Sequence, residues 1–255
     1  ALALVCLVYT GQAQQSFVTN QAATTVIGQP NFATNNSMPN AATIVGASGC
    51  SVGPDGRLYV AQQTGRRVSV WNATPTVNGT SADLVVGKPN PTSTQSGVSA
   101  ALTSTINGMG LSPDGQKLFV CDAANNRVLV WNTIPTTSGV PADVVIGQPN
   151  FTTGTTGVSA TTMNSPRSAT VAPDGRLIIS DAGNDRVLIY NQVPTSNGAA
   201  ADVVIGQFNL TSRTSGNTAN QFNGPWGVCV SPDGKLLVAD ELNDRVMVWN
   251  SIPTT

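Results

Sequence analysis

Short runs of consecutive β-branched and apolar residues, separated by Pro, Asp, Asn and Gly, dominate this chain. In the unit that begins near Arg167 the runs are "RSATVA", "RLIIS", "RVLIYN" and "DVVIG", and "PDG" and "DAGND" separate the first three. Pro presets φ, Asp accepts backbone hydrogens and Gly permits positive φ, so both separators predict turns. The pattern predicts four antiparallel strands per unit, with inner strands buried on both faces.

The unit recurs about every sixty residues, and three markers keep the same step. "PDG" begins at Pro54, Pro113, Pro173 and Pro232. The glycine that closes the fourth run is Gly28, Gly87, Gly147 and Gly206. The third run begins at Arg67, Arg127, Arg186 and Arg245. Four-stranded sheets that repeat in this way and stack radially form a β-propeller, so the predicted fold class is all-β.

The repeats "SPRSATVAPDGRLIISDAGNDRVLIY" and "GPWGVCVSPDGKLLVADELNDRVMVW" resemble NHL repeats, whose unit has a proline-led first strand, a P-x-G turn, an apolar strand and then D-x-x-N-x-R-V. Ile106 replaces the leading proline in the second unit. In the first unit Gln62 stands where Asp is expected, and Gly65 where Asn is expected. The tail "ADVVIGQPNF" lengthens the unit and resembles a variant of exported bacterial proteins. The resemblance implies an NHL-type β-propeller.

The repeats fall near residues 48–87, 107–147, 166–206 and 225–250, within a propeller predicted for 14–255. They predict about four blades. A leading fourth strand, near 23–28, precedes the first blade and could close a four-bladed ring by completing the last one. The favoured alternative is that these blades belong to a larger ring, often six-bladed in this family.

The first residues predict export. An apolar run from Ala1 to Val8, followed by the small residues Gly11 and Ala13, is typical of the end of a signal peptide. We therefore expect a partial signal peptide over 1–13, cleavage after Ala13, and a periplasmic or extracellular location. The run is too short to span a bilayer.

Composition excludes several function classes. The formal net charge is −1 and neither sign forms runs, which argues against a nucleic-acid partner. The chain has no histidine, which removes the commonest general base and the usual zinc ligand. The repeat accounts for every acidic residue except Glu241. No cofactor or metal is therefore expected, although a metal-assisted hydrolase or lyase using Asp and Asn near the axis remains the alternative.

Three cysteines follow the predicted signal peptide: Cys50, Cys121 and Cys229. An odd number cannot pair completely. Each lies in an apolar, strand-like context, so all three are predicted to be small buried side chains.

The repeat also distinguishes residues with a structural role from candidate binding residues. Residues that recur are assigned to a structural turn, namely Asp122, Asp181, Asp240, Arg127, Arg186 and Arg245. At the entry of the first strand, six residues before the turn proline, the units instead carry Ser48, Asn107, Arg167 and Trp226. Either these positions are exposed and vary in sequence without a functional reason, or their side chains converge at the channel mouth. The second interpretation predicts a binding scaffold for a protein, a peptide or a polar small molecule, contacted there and by the long loops of one face.

Overall fold

The structure, a computed structural model, describes residues 19–255. The predicted signal peptide, residues 1–13, lies outside the described residues. Residues 19–255 form a four-bladed β-propeller of antiparallel sheets, with three short 3-10 turns as its helical elements. This confirms the predicted fold class.

Each of the first three blades has four strands in chain order. Blade 1 contains β1 (Ala47–Val52), β2 (Leu58–Gln62), β3 (Arg67–Trp71) and β4 (Leu84–Val86). Blade 2 contains β5 (Ile106–Leu111), β6 (Leu118–Asp122), β7 (Arg127–Trp131) and β8 (Val144–Ile146). Blade 3 contains β9 (Pro166–Val171), β10 (Leu177–Asp181), β11 (Arg186–Tyr190) and β12 (Val203–Ile205).

Blade 4 has three strands: β13 (Pro225–Val230), β14 (Leu236–Asp240) and β15 (Arg245–Trp249). The prediction of four strands per blade therefore holds for three sheets. The leading segment, residues 23–28, forms no strand and does not join β15. The outer edge of this segment has no third strand beside it to pair with, and therefore no β-ladder forms there.

The predicted turns form where the residues allow them. In blade 3 the glycine of "PDG", Gly175, has φ +90°, which a side chain would disfavour. The Oδ1 of Asp174 accepts a hydrogen bond from the Arg176 backbone N–H at 3.2 Å. The turn thereby brings β9 and β10 into register, with Val171 opposite Leu177.

Hydrophobic layers between neighbouring blades form the core. One layer joins blades 1 and 2 and includes Tyr59, Val70 and Leu118, and the next joins blades 2 and 3 around Phe119 and Ile179. In these blades the second and third strands are buried throughout, as their consecutive apolar residues predict. Stacking blades face to face is therefore what gives each sheet its two buried faces.

The first strands of blades 2 and 3 approach very closely. A Cβ added at Gly108 would lie 2.3 Å from the Arg167 carbonyl oxygen, and one at Gly110 would lie 2.1 Å from that of Ala169. Only glycine fits at these two positions, since the facing atoms belong to the backbone of β9.

Candidate functional site

The turn after the second strand is a buried hydrogen-bond network, and blade 3 shows its parts. Asp181 Oδ1 accepts from the Asn164 backbone N–H at 2.7 Å. Its Oδ2 accepts from Asn184 Nδ2 at 2.8 Å and from Arg186 Nε at 2.7 Å. Both charged side chains are fully buried. The carboxylate thus holds three segments of the chain together.

Blades 2 and 4 repeat this network with matching distances. Asp122 accepts from Arg127 Nε at 2.8 Å, and Asp240 accepts from Arg245 Nε at 2.8 Å. The left-handed residue of the turn is the one before the arginine, with φ of +53° at Asn126 and +51° at Asp185. Asn and Asp tolerate that conformation better than most residues.

Blade 1 lacks the carboxylate. Gln62 replaces it, and its Oε1 lies 3.4 Å from Arg67 Nε, a longer contact than in the other blades. Burial lowers the pKa of Arg67. Gln62 also donates to Ser69 Oγ at 2.7 Å. Blade 1 thus keeps the shape of the network without its ion pair.

Burial acts on the carboxylates of this network as well. It raises the pKa of Asp181 and of Asp122, while the neighbouring arginine and the amide and backbone donors oppose the rise. All the acceptor positions described above are occupied within the turn. These two carboxylates therefore have a structural role, and neither is placed to act on a bound substrate as an acid or base.

Within residues 19–255 no group of three or more His, Cys, Asp or Glu side chains is arranged to hold a metal ion. Over the same residues, no helix has the length and apolar character needed to cross a membrane.

The four first-strand entry residues lie at equivalent positions of β1, β5, β9 and β13. The structure brings two of them together. The Arg167 guanidinium carbon lies 3.9 Å from the centroid of the Trp226 ring, in a cation–π contact between blades 3 and 4. Arg167 also donates to Glu241 Oε2 at 2.6 Å, and this pair remains partly exposed. Cation, aromatic ring and carboxylate form one cluster, which we call the rim cluster.

The other two entry residues make separate contacts. Asn107 Oδ1 accepts from Gln63 Nε2 at 2.9 Å, which joins blades 1 and 2, and Asn107 is itself buried. Ser48 donates to the Ala61 carbonyl oxygen at 3.4 Å within blade 1. The four side chains thus form one inter-blade cluster, one inter-blade amide pair and one contact within a sheet.

Sequence reasoning missed Gln63 as a partner of Asn107. Glu241 carried a signal, since it is the acidic residue that the repeat does not explain, but its contact with Arg167 depends on how blades 3 and 4 sit against each other. The two residues are 74 positions apart, so the sequence pattern does not indicate that they meet.

A cavity of about 480 Å³ adjoins the rim cluster. It is lined by Trp226, Ala239, Asp240, Glu241, Asp244, Arg245 and Val246. Trp226 and Glu241 belong to both features, so the cavity extends the rim cluster over the outer face of blade 4.

One cysteine differs from the prediction. Cys121 and Cys229 are buried as expected, but Cys50 is exposed. Cys50 lies on β1, whose residues are only partly covered. The apolar context of Cys50 predicted burial wrongly because a first strand lies at the inner edge of its blade.

A family model described as NHL repeat matches residues 222–249. A search of curated proteins gives no match. Among solved structures, "Crystal structure of RRP9 WD40 repeats" is 12% identical with a TM-score of 0.52, and the match covers 84% of this chain and 52% of that one. This likeness shows the propeller fold alone.

Two further structures are similar at lower scores. "Kuenenia stuttgartiensis Hydrazine Synthase" is 18% identical with a TM-score of 0.48, over 76% of this chain and 42% of that one. The Myceliophteria thermophila Cps50 (Swd1) β-propeller domain is 10% identical with a TM-score of 0.48, over 81% and 54%. The chain spans about half the length of the structures it matches.

Proposed function

We propose, from the premise that this chain is an NHL-repeat β-propeller, that it is a binding scaffold whose contact surface centres on the rim cluster of Arg167, Trp226 and Glu241. The partner we propose is a polar segment of another protein. The observation that carries this proposal is the cation–π and ion-pair geometry at the rim.

Exposure and variation support the rim cluster as a contact surface. Arg167 and Glu241 keep 26% and 36% of their side-chain surface exposed, whereas the Asp181–Arg186 pair in the turn of blade 3 is fully buried. The rim cluster also lies where the repeat changes from blade to blade. Arginine and tryptophan are the residues that most often dominate binding at protein interfaces.

The chemistry of the rim cluster suits a polar peptide. Arg167 can exchange Glu241 for a carboxylate of the partner, because an exposed ion pair contributes little and is readily replaced. Trp226 then offers its ring and the adjoining cavity to an apolar or amide group of the same peptide. Peptide binding through this surface needs no catalytic group and no metal.

A random-sequence peptide library displayed on phage, selected on the immobilised full chain, tests the proposal. We expect the enriched peptides to bind Arg167→Ala and Trp226→Ala at least tenfold more weakly, a loss of about 1.4 kcal/mol. Arg176→Ala is the matched control, since Arg176 pairs with Asp174 in the same blade but follows the turn at the other end of β9. Circular dichroism checks that each variant folds.

Two results would count against this function. One is a library that yields no reproducible enrichment. The other is a set of enriched peptides that bind Arg167→Ala as tightly as the unaltered chain, while Arg176→Ala weakens them.

We propose also that the chain is exported. The apolar run at Ala1–Val8 and the small residues before Gln14 support this location, as does a surface with few charges. The intact mass of the protein recovered from the periplasm or the medium of its source checks it. We expect a mature chain that begins at Gln14, and a chain retained in the cytoplasm with residues 1–13 attached would contradict export.

A further inference from the structure

The turn between the second and third strands changes its charge from blade to blade. From the last residue of one strand to the first of the next it reads "QQTGRR" in blade 1, "DAANNR" in blade 2, "DAGNDR" in blade 3 and "DELNDR" in blade 4. The formal charge falls from two positive in blade 1, through zero and one negative, to two negative in blade 4. Because the four turns join equivalent ends of their strands, they lie on one face of the propeller. Blade 1 therefore supplies the positive end of that face.

Arg66 occupies the left-handed position of the blade 1 turn. Its φ is +55°, and the equivalent residues, with φ between +51° and +53°, are Asn126, Asp185 and Asp244. A left-handed backbone is disfavoured for most side chains, and Asn and Asp are the usual exceptions. The arginine is therefore held in this turn against the preference of its backbone.

Arginine at this position also gives up a hydrogen bond between blades. Asn126 Oδ1 accepts from the Ser165 backbone N–H at 3.0 Å, and the aspartate of blade 3 makes the matching bond at 2.8 Å. The equivalent N–H on blade 2 is that of Thr105. A guanidinium carries donors only, so Arg66 cannot accept from it. Residues that carry such costs cluster at binding and active sites.

The side chain of Arg66 is available to an anion. It is exposed, and its Nη1 donates to Ser96 Oγ at 3.1 Å. Within residues 19–255 its Nε and Nη2 have no hydrogen-bond partner, and no carboxylate forms an ion pair with it. Nε and Nη2 form an edge that can hold a carboxylate through two parallel hydrogen bonds. Ser96, also exposed, places a hydroxyl beside the guanidinium.

Two buried cations lie near Arg66 without a carboxylate of their own. Arg67 is fully buried, and Gln62 stands where the other blades have an aspartate. Lys88 is also fully buried, and its ammonium donates to two backbone carbonyls. Burial is the main cause that lowers the pKa of Lys88 to about 8. The two arginines lower this pKa as well and Asp122 opposes them, so the three cations are close enough to act on one another.

The opposing carboxylate is already paired. Asp122 Oδ2 lies 2.8 Å from Arg127 Nε, and neither side chain is exposed. The surroundings of Arg66 thus keep a positive potential, and salt screens buried charges only weakly. An anion bound at Arg66 is attracted by all three cations.

We propose that Arg66 binds a carboxylate side chain of the partner segment, as a second contact point on the face that carries the rim cluster. The inference rests on the proposed function, since Glu241 of the rim cluster belongs to the blade 4 turn that is equivalent to this one. Nε and Nη2 of Arg66 hold the carboxylate, and Ser96 donates its hydroxyl hydrogen to it. Arg67 and Lys88 strengthen the attraction from the interior. The partner segment is therefore acidic at the end that lies over blade 1.

Nuclear magnetic resonance of the arginine side chains tests this site directly. The probe is hexaglutamate with both ends blocked, titrated into the isotope-labelled full chain at constant ionic strength. We expect the Nε–H signal of Arg66, identified by its loss in Arg66→Gln, to shift and to saturate. Arg66→Gln should weaken binding about tenfold, measured on the backbone amide of Ser96. Arg213→Gln is the matched control and should change nothing, because Arg213 is an exposed arginine of the loop after blade 3.

Thermal unfolding gives a second readout, which separates binding from folding. Arg66→Asn introduces the residue type of blade 2, so we expect it to raise Tm without peptide and to weaken hexaglutamate as Arg66→Gln does. Gln62→Asp gives Arg67 a carboxylate and leaves Arg66 in place. It should weaken the peptide too, but by a smaller factor.

This site and the rim cluster can fail separately. The titration reads Arg66 itself, whereas the peptide selection reads Arg167 and Trp226. A saturating Arg66 signal, with selected peptides that bind Arg167→Ala normally, would support the carboxylate site and contradict the rim cluster. Selected peptides that depend on Arg167, with no response at Arg66, would do the reverse.

Three results would overturn a carboxylate site at Arg66. The first is an Arg66 signal that shifts no more than that of Arg213. The second is a lower Tm in Arg66→Asn, which would show that the arginine serves to stabilise the turn. The third is tighter binding of inorganic phosphate than of hexaglutamate in the same titration, which would make this a site for free oxyanions.

Discussion

Lys88 shows how a single residue can depart from the repeat inside a buried position. Its equivalents are Gln29, Gln148 and Gln207. Gln148 Nε2 donates to two backbone carbonyls, at 3.0 and 2.8 Å. Lys88 likewise donates to the carbonyls of Thr103 and Gln95. The ammonium thus fills a position that a neutral amide fills in the other repeats.

Burial lowers the pKa of Lys88 from 10.5 to about 8. The fold therefore disfavours the charged form, and this cost is fully present below pH 8. Between pH 8 and 10.5 the folded chain releases the proton while the unfolded chain still holds it, so the free energy of unfolding rises with pH. The rise amounts to at most about 3 kcal/mol.

We expect Lys88→Gln to raise Tm at pH 7 and to flatten the increase in stability between pH 8 and 10.5. Urea unfolding at several pH values measures both effects. Lys235→Gln is the control, because Lys235 is exposed beside Asp233, which raises its pKa. A pH dependence that is identical in Lys88→Gln and in the unaltered chain would show that Lys88 is not held in its buried form.

At the scale of the element, the turn between second and third strands is stabilised by a buried charge pair. Its sequence, "DAGNDRVLIYN" in blade 3, resembles a calcium-binding loop in its density of oxygen ligands. In the structure those oxygens face inward and bind Asn184, Arg186 and the Asn164 backbone. These oxygen atoms hold the second strand, the third strand and the preceding loop together.

Asp181→Ala leaves Arg186 buried without its carboxylate, and we expect it to lower the free energy of unfolding by about 3–5 kcal/mol. Asp174→Ala removes the other Asp–Arg pair of blade 3, whose carboxylate is 50% exposed, and should cost less than about 1 kcal/mol. Urea unfolding compares the two. Peptide binding at the rim cluster should survive in Asp181→Ala, and its loss at unchanged stability would reassign this turn to the site.

The sequence predicted these elements well because their signals are local. Pro, Asp and Gly fix the turns one by one, and consecutive apolar residues identify strands with two covered faces. The leading segment is different, since its residues match a fourth strand while a strand also requires a neighbour. Cys50 is different too, because its exposure depends on which edge of the blade its strand occupies.

At the scale of the whole molecule, a strict period predicted the number of sheets, their order and the layers between them. The period could not predict the rim cluster. The contact of Arg167 with Trp226 depends on the relative orientation of blades 3 and 4, and the period says only that both residues begin a first strand. Two of the four positions that vary within the strict repeat, Arg167 and Trp226, nevertheless contact each other.

The glycines at positions 108 and 110 have a consequence for how such a molecule can change. At the same two positions blade 3 has Ser168 and Thr170, and blade 4 has Gly227 and Cys229. A duplicate of blade 3 inserted in the second slot would drive two side chains into the backbone of its neighbour. The blades are therefore not interchangeable. The first strand of each blade matches the backbone of its neighbour, and exchanging two blades would require substitutions in these strands.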